Sequence, residues 1–240
     1  MVMAAAGPQG RLYSAGEMGL IDTYDLTTCR MTGHLPGHHG AVLCLAGVSS
    51  SLLVSGGADK LVKLWDLRLP PTSLPIQQLP HHNRVIALSY REDCVVTCSA
   101  AQQKGEVRVY DCRALHSPTV TQQQQQPPRV GVKRGREEEL VRLVGPLQAK
   151  GMRHELCVLL DAERVMVGSY DLKVRVWEAW RQGVCEEVTR ECIGAIELSS
   201  PPLCLATSGP GSAVAIGCVD HSVWMAWPTK KPSALRYKKV

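Results

Sequence analysis

Phenylalanine is missing from all 240 residues, and aromatic side chains make up only 5% of the chain. Any core must therefore be assembled from Val, Leu, Ile, Ala, Cys and a small set of Trp and Tyr. No apolar run approaches the roughly 18 residues that a bilayer-spanning helix needs. Met1–Gly10 has no basic start followed by a long apolar stretch, so it does not read as a secretory signal. The ten cysteines are accordingly expected to be reduced thiols of the cytosol or nucleus. Several of them, Cys44, Cys157 and Cys204, sit inside apolar runs and behave as small hydrophobes. Nucleophile elbow, P-loop and dinucleotide fingerprint are all absent, so no cofactor is expected. A net charge of +5 is too mild to demand a nucleic-acid partner. Apolar content of 45% with 20% charged residues fits an ordinary globular protein.

What the chain has is a repeat. Residues Leu52 to Arg68 contain a strand-like run, a tight turn at Gly56 to Lys60 and a second alternating run, Leu61 to Asp66. Residues Arg11 to Leu26 superpose on it: Ser14, Gly16, Tyr24 and Asp25 match Ser55, Gly57, Trp65 and Asp66, all at an offset of 41. A third copy runs from Cys94 to Arg113, with Tyr110-Asp111 in place of Trp65-Asp66. In a fourth, Arg164 to Trp180, Asp171 and Trp177 keep the spacing of Asp59 and Trp65. In the fifth, Ala213 to Trp227, Asp220 matches Asp59, but Ala226 occupies the Trp position and Trp227 lies one further on. An apolar run precedes each copy as a first strand, for example Ala41 to Ala46, Val85 to Tyr90, Leu156 to Leu160 and Leu203 to Ala206. A weaker fourth strand is expected after each, as at Pro75 to Leu79 and Glu187 to Ile193. Four short strands repeating at about 40 to 45 residues are the signature of a propeller blade.

The second unit resembles the WD-repeat family closely. Gly37-His38 precedes its first strand, Ser55 lies in the second, Asp59 in the turn, and Trp65-Asp66 closes the third. The resemblance implies a hydrogen-bonded chain across the blade through His38, Ser55, Asp59 and Trp65. A buried indole N–H and hydroxyl need partners, and a satisfied network fixes strand register. The third unit keeps His81 and puts Tyr110 in the Trp position; the fourth keeps Asp171 and Trp177. The first has Met18 where Asp belongs and the fifth has Ala226 where Trp belongs, so those two blades are expected to rely on packing.

The fold expected is therefore all-β: a β-propeller of four-stranded antiparallel blades, five of them in units 1–34, 35–80, 81–152, 153–195 and 196–240. Closure is left open by the sequence. An array that does not close leaves exposed edge strands, which soluble proteins avoid, so three readings follow: the chain closes as five blades, or is an open arc completed by another protein, or is a fragment of a longer product; an incomplete or open ring is the favoured expectation. The stretch 114–138 carries Gln122 to Gln126, Pro127-Pro128, the basic Lys133 to Arg136 and the acidic Glu137-Glu138, and reads as a disordered polar insert. Leu140 to Val144 is expected to supply the fourth strand of the third blade. Lys133 to Arg136 is a weak nuclear signal, outweighed by its reading as a solvated loop.

Little here suggests chemistry. His34, His38 and His39 lie together but lack a second ligand cluster, so no metal is expected. Cys94 and Cys98 have no second pair and read as buried thiols. Asp59 and Asp171 fall on separate blades, and no constellation of nucleophile, base and orienter stands out, so the chain is expected not to be an enzyme. Its function is expected to be that of a scaffold subunit or adaptor that binds other proteins by rigid surface, with neither small-molecule substrate nor membrane and nucleic acid at most indirect. Candidate contact residues, named by repeat position, are His39, Lys60, Asn83, Arg84, Tyr170, Leu172 and His221. Arg68 and Arg113, each two residues after the Asp, resemble the box of WD-repeat substrate receptors of cullin-4 ubiquitin ligases, where the Arg contacts the adaptor; many WD repeats without that connection share it. A third reading, a subunit of an RNA-containing particle, rests on the net charge and on the basic end at Lys230, Lys231, Arg236, Lys238 and Lys239.

Overall fold

Apolar runs punctuated by Gly, Pro and Asp become strands throughout. The computed structural model describes residues 3–6, 10–48, 51–70, 72–91, 94–101, 104–111, 139–143, 157–161, 164–178, 192–209, 211–228 and 235–240. Among these residues there are twenty β-strands and no helix. The first sheet holds β1 (Met3–Ala6), β2 (Arg11–Ala15), β3 (Ile21–Asp25) and β4 (Arg30–Leu35). The second holds β5 (Val42–Gly47), β6 (Leu52–Gly57), β7 (Leu61–Asp66) and β8 (Gln77–Pro80). The third is β9 (Val85–Arg91), β10 (Cys94–Ala101), β11 (Lys104–Asp111) and β12 (Glu139–Leu143). The fourth is β13 (Cys157–Asp161), β14 (Arg164–Ser169), β15 (Lys173–Glu178) and β16 (Gly194–Glu197), and the fifth β17 (Pro202–Thr207), β18 (Val214–Cys218), β19 (Val223–Pro228) and β20 (Leu235–Lys239).

Each sheet is an antiparallel meander of consecutive strands, so every blade is built from one continuous stretch of chain. The fourth strands fall near the sequence cues but not on them: β8 overlaps Pro75 to Leu79 and runs one residue further, β12 starts one residue ahead of the expected Leu140 to Val144, and β16 begins at Gly194, while residues 187–191 of the expected Glu187 to Ile193 lie outside the described residues. Backbone pairing sets this position: Ile196 sits opposite Val174 and Gly194 opposite Val176, with Ile193 only entering the ladder. The polar insert 114–138 falls outside the described residues.

The first strands pack in series, β1 on β5, β5 on β9, β9 on β13 and β13 on β17. Four apolar cores fill the spaces between successive blades. Tyr13, Ala15 and Ile21 meet Leu53 and Trp65 between the first two. Val54, Val62 and Leu64 meet Val85, Val95 and Tyr110 between the second and third. Val96 and Val109 meet Val165, Val167 and Trp177 next. Met166, Val174 and Ile196 meet Val214, Ile216 and Ala226 last. An inner blade is thus covered on both faces, and β6 and β14 are buried at every residue. In the first and fifth blades β2 and β18 alternate between buried and half-buried positions, as one-sided strands do.

The turn between second and third strand repeats in geometry as well as sequence. Lys60, Leu172 and His221, each directly after the repeat Asp, all adopt left-handed backbone with φ of 66°, 66° and 62°. A side chain there costs roughly 1–2 kcal/mol, and the Asp before it offsets part of that by capping the turn, as Asp59 does for Leu61 N–H and Asp220 for Ser222 N–H.

Candidate functional site

The densest polar constellation lies in the second blade. His38 enters from the β4–β5 loop, Ser55 from β6, Asp59 from the β6–β7 turn and Trp65 from β7. The indole N–H of Trp65 donates to Ser55 Oγ at 2.9 Å, and the Ser55 hydroxyl lies 2.7 Å from His38 Nε2. Nδ1–H of His38 donates to the Asp59 carboxylate at 2.9 Å, which also accepts the backbone N–H of His39 at 3.0 Å. Every polar atom of the relay therefore has a partner when His38 is neutral with its proton on Nδ1, leaving Nε2 to accept from Ser55. Burial holds the His38 pKa below its ordinary value, partly opposed by Asp59. For Asp59, burial works upward, but hydrogen bonds from His38 and from His39 N–H outweigh it and keep the carboxyl below the usual range.

The order Asp59–His38–Ser55 is that of an acyl-transfer triad. Sequence reading found no nucleophile, base and orienter, because the three residues lie far apart in the chain. Two features separate the relay from catalysis. Ser55 is 0% exposed, and its oxygen is already the acceptor for Trp65.

The third blade carries a variant. His81 Nε2 lies 2.9 Å from the Thr97 hydroxyl and 3.5 Å from that of Tyr110, while its Nδ1–H donates to Leu79 C=O at 3.3 Å. Burial, aided by the nearby Arg108 cation, lowers the His81 pKa to about 4. Thr97 stands in the Ser55 position, opposite Arg108 as Ser55 is opposite Lys63. In the fourth blade the network does not form. Val167 takes the Ser55 position, and Trp177, 0% exposed, has no acceptor for its indole N–H among the described residues. Asp171 is engaged instead by Arg175, whose two guanidinium nitrogens lie 3.1 and 2.5 Å from its oxygens.

That pair exposes a position missed from the sequence. Lys63 looks like the polar half of an alternating strand beside Val62 and Leu64, yet it is 2% exposed, with Nζ 3.5 Å from Asp59. Arg108 and Arg175 occupy the same position and are also buried, paired with Glu106 at 3.1 Å and with Asp171. The signal was available: a cation stands two residues before the Trp or Tyr in all three blades. A buried charge must be paired, and here each blade pairs its own.

The candidate contact residues are dispersed. His39, Lys60, Leu172 and His221 are exposed, whereas Asn83, Arg84 and Tyr170 are half-buried. Arg68 is exposed and lays its guanidinium along the Asp66 carboxylate at 2.8 and 2.6 Å, so its fork is occupied within its own turn. Arg113, the second half of the proposed ligase box, lies outside the described residues, as do Lys133 to Arg136, Lys230 and Lys231. No group of three or more His, Cys, Asp or Glu able to hold a metal occurs among the described residues. The eight cysteines among them are free thiols.

Residues 28–66, which run from the last turn of the first blade to the end of β7, match the family described as WD domain, G-beta repeat. The CCR4-associated factor 4 homolog of Vanderwaltozyma polyspora is 35% identical over 63 residues, 25% of this chain and 9% of that protein. Mitochondrial division protein 1 of Aspergillus clavatus is 37% identical over 32% of this chain and 11% of its own length. The ribosome biogenesis protein WDR12 homolog of Oryza sativa subsp. japonica is 30% identical over 116 residues, 47% of this chain and 26% of that protein. The chain thus spans well under two thirds of the relatives it matches. Among solved structures, U3-55K and the WD40 repeats of RRP9 each superpose with a TM-score of 0.69 at 18% identity, covering 98% of this chain and 64% of theirs. With one repeat matched in sequence and the blade architecture shared across its length, the chain carries a WD repeat and is built of β-propeller blades.

Proposed function

We propose that this chain is a non-catalytic scaffold within a multi-subunit assembly, and that the assembly is an RNA-containing particle of the nucleus. The observation that carries the scaffold reading is the fate of the polar groups in the second blade. Asp59, His38, Ser55 and Trp65 consume one another's hydrogen bonds inside a buried relay, which leaves the blade surfaces to perform the function. The repeat family is associated with protein interaction, and a stiff sheet frame presenting exposed turns suits that role.

The RNA reading rests on two supports. Relatives and fold neighbours include a ribosome biogenesis protein and U3-55K, and the last strand presents Arg236, Lys238 and Lys239 in exposed positions. Arg236 and Lys238 share one side of that strand and suit phosphate contact without sequence reading, whereas Lys239 lies 3.6 Å from the Asp220 carboxylate. The ligase reading has no comparable support, with Arg68 occupied by Asp66.

Affinity purification of the tagged full-length chain, with and without ribonuclease, tests both layers. Co-purifying proteins are expected to persist after ribonuclease while bound RNA is lost, and RNA recovery is expected to fall steeply between 50 and 200 mM salt on the order of the counterions released. Absence of stable protein partners defeats the scaffold reading; salt-insensitive recovery, or no RNA, defeats only the particle reading.

A further inference from the structure

Two blades begin their first strand after the same pair of histidines. His38-His39 stands ahead of Val42, and His81-His82 stands at the same spacing ahead of Val85. The first histidine of each pair is buried and directs its Nε2 to the hydroxyl of Ser55 or of Thr97. The carboxylates are placed differently. In the second blade Asp59 accepts from Nδ1–H of His38 and from the backbone N–H of His39. The corresponding turn of the third blade, Ala101 to Lys104, has no acidic residue, and His81 donates to Leu79 C=O instead. Here the acid comes from β11. Glu106, opposite Ser99 in the ladder, brings its carboxylate to 3.6 Å from Nδ1 of His82, the second histidine of the pair.

His82 thus completes a polar cluster at the surface of the third blade. Its side chain is 71% exposed, whereas those of Glu106 and Arg108 are buried to 9% and 10%. Nη2 of Arg108 lies 3.1 Å from His82 Nδ1 and 3.1 Å from Glu106 Oε1, while Nη1 donates to Pro80 C=O at 3.0 Å. A guanidinium can only donate. In this geometry His82 Nδ1 is therefore the acceptor, the ring is neutral and its proton sits on Nε2. Glu106 stands in the reverse relation to the same nitrogen. Its Oε2 can accept from Nδ1 only when that nitrogen carries a proton.

We propose that the β8–β9 loop carries a proton-operated partner switch, in which His82 Nδ1 accepts from Arg108 when the ring is neutral and donates to Glu106 when it is protonated. Proton uptake ends the Arg108 bond, because the nitrogen loses its lone pair and two cations 3.1 Å apart repel. The ring then closes on the Glu106 carboxylate, which is already within ion-pair range. Arg108 keeps Glu106 Oε1 and Pro80 C=O, so the interior of the blade is undisturbed. The loop gains one positive charge beside Arg84. Histidine is the side chain that ordinarily changes charge between pH 5 and 8, and buried His81, held at about 4, stays neutral there. The other titratable groups around the loop, among the described residues, are Arg84 within it, Tyr110 on β11, with its hydroxyl 3.5 Å from His81 Nε2, and Lys60, whose carbonyl accepts His81 N–H. Arginine, tyrosine and lysine do not ordinarily titrate in that interval, which leaves His82 as the responding group. The second blade has no such device, since Asp59 holds its buried histidine in one tautomer.

Nuclear magnetic resonance of the full chain with ring-labelled histidine, recorded from pH 5 to 8, reads the switch directly. Nitrogen shifts separate the two neutral tautomers, and His82→Gln assigns the signal. At pH 8 His82 should be the Nε2–H tautomer; at pH 5 its Nδ1–H should be hydrogen-bonded and slowed in exchange with water. Glu106→Gln removes the acceptor of the protonated ring and should weaken His82 proton affinity by ~3-fold or more, and Arg108→Gln, which removes the competing cation, should raise it by a similar factor. An Nδ1–H tautomer at pH 8, or a freely exchanging Nδ1–H at pH 5, overturns the proposal in the unsubstituted chain, whether or not the variants fold. A titration that folded variants leave unmoved, or move in the opposite sense, overturns it as well.

Discussion

Two tryptophans in equivalent positions, Trp65 and Trp177, have opposite hydrogen-bonding fates, and that contrast is measurable. Both are essentially fully buried, so replacing either by Phe loses similar apolar area. Trp65→Phe additionally removes the donor from Ser55 Oγ, whereas Trp177→Phe removes an N–H that has no acceptor. Urea unfolding should therefore show Trp65→Phe to be the more destabilising by about 1–3 kcal/mol; equal costs would mean that the relay contributes nothing. The histidines predict a pH dependence. His81 is held near 4 when folded against about 6.5 when unfolded, so its contribution is complete above pH 6.5. As pH falls from 6.5 to 4 the unfolded chain takes up the proton first, and stability should drop by on the order of 2–3 kcal/mol. His38 shifts in the same direction. The lowered carboxylates, Asp59 and Asp171, lose their contribution only at lower pH. His81→Gln should flatten the slope between pH 4 and 6.5, read by thermal unfolding across that range.

At the scale of the element, glycine marks where one blade leans on the next. Gly56→Ala would force a methyl into Cys44 and Val85, and should cost about 1–3 kcal/mol through overpacking. Gly217→Ala meets, among the described residues, only the exposed, rotatable Cys204 thiol and should be close to neutral. A comparable loss in both variants, measured by denaturant midpoint, would mean that Gly217 is packed as tightly as Gly56. The strands also show what sequence reading could and could not recover. The second and third strands were legible because Ser55, Asp59 and Trp65 recur at fixed offsets, and the Asp-then-left-handed turn recurs with them. The fourth strands β8 and β12 were legible only in approximate position, since short edge strands of mixed composition are placed by their neighbours' hydrogen bonds. Alternation misled at Lys63, because a strand between two blades buries both of its faces and the cation survives only through Asp59. The relay in the fourth blade was overread, since Trp177 kept the motif while Val167 had replaced the hydroxyl that gives it purpose.

For the whole molecule, stability should be graded along the series of blades. Nearest-neighbour packing dominates repeat architectures, and the inner blades have two neighbours where the terminal ones have one. Hydrogen–deuterium exchange should be slowest in β6, β7, β10 and β14 and fastest in β1, β17 and β20, with opening free energies near the global value only in the former group. Uniform protection from β1 to β20 would contradict this and would require the end blades to cover each other.

The continuity of chain within each blade bears on how the protein is made. Because no sheet waits for a strand from a distant part of the sequence, each meander can complete its ladder soon after its fourth strand leaves the ribosome, at low cost in loop closure. Synthesis then proceeds as stacking: every new blade finds the apolar face of its predecessor already formed, with Val85 and Pro202 arriving as the first residues to seat.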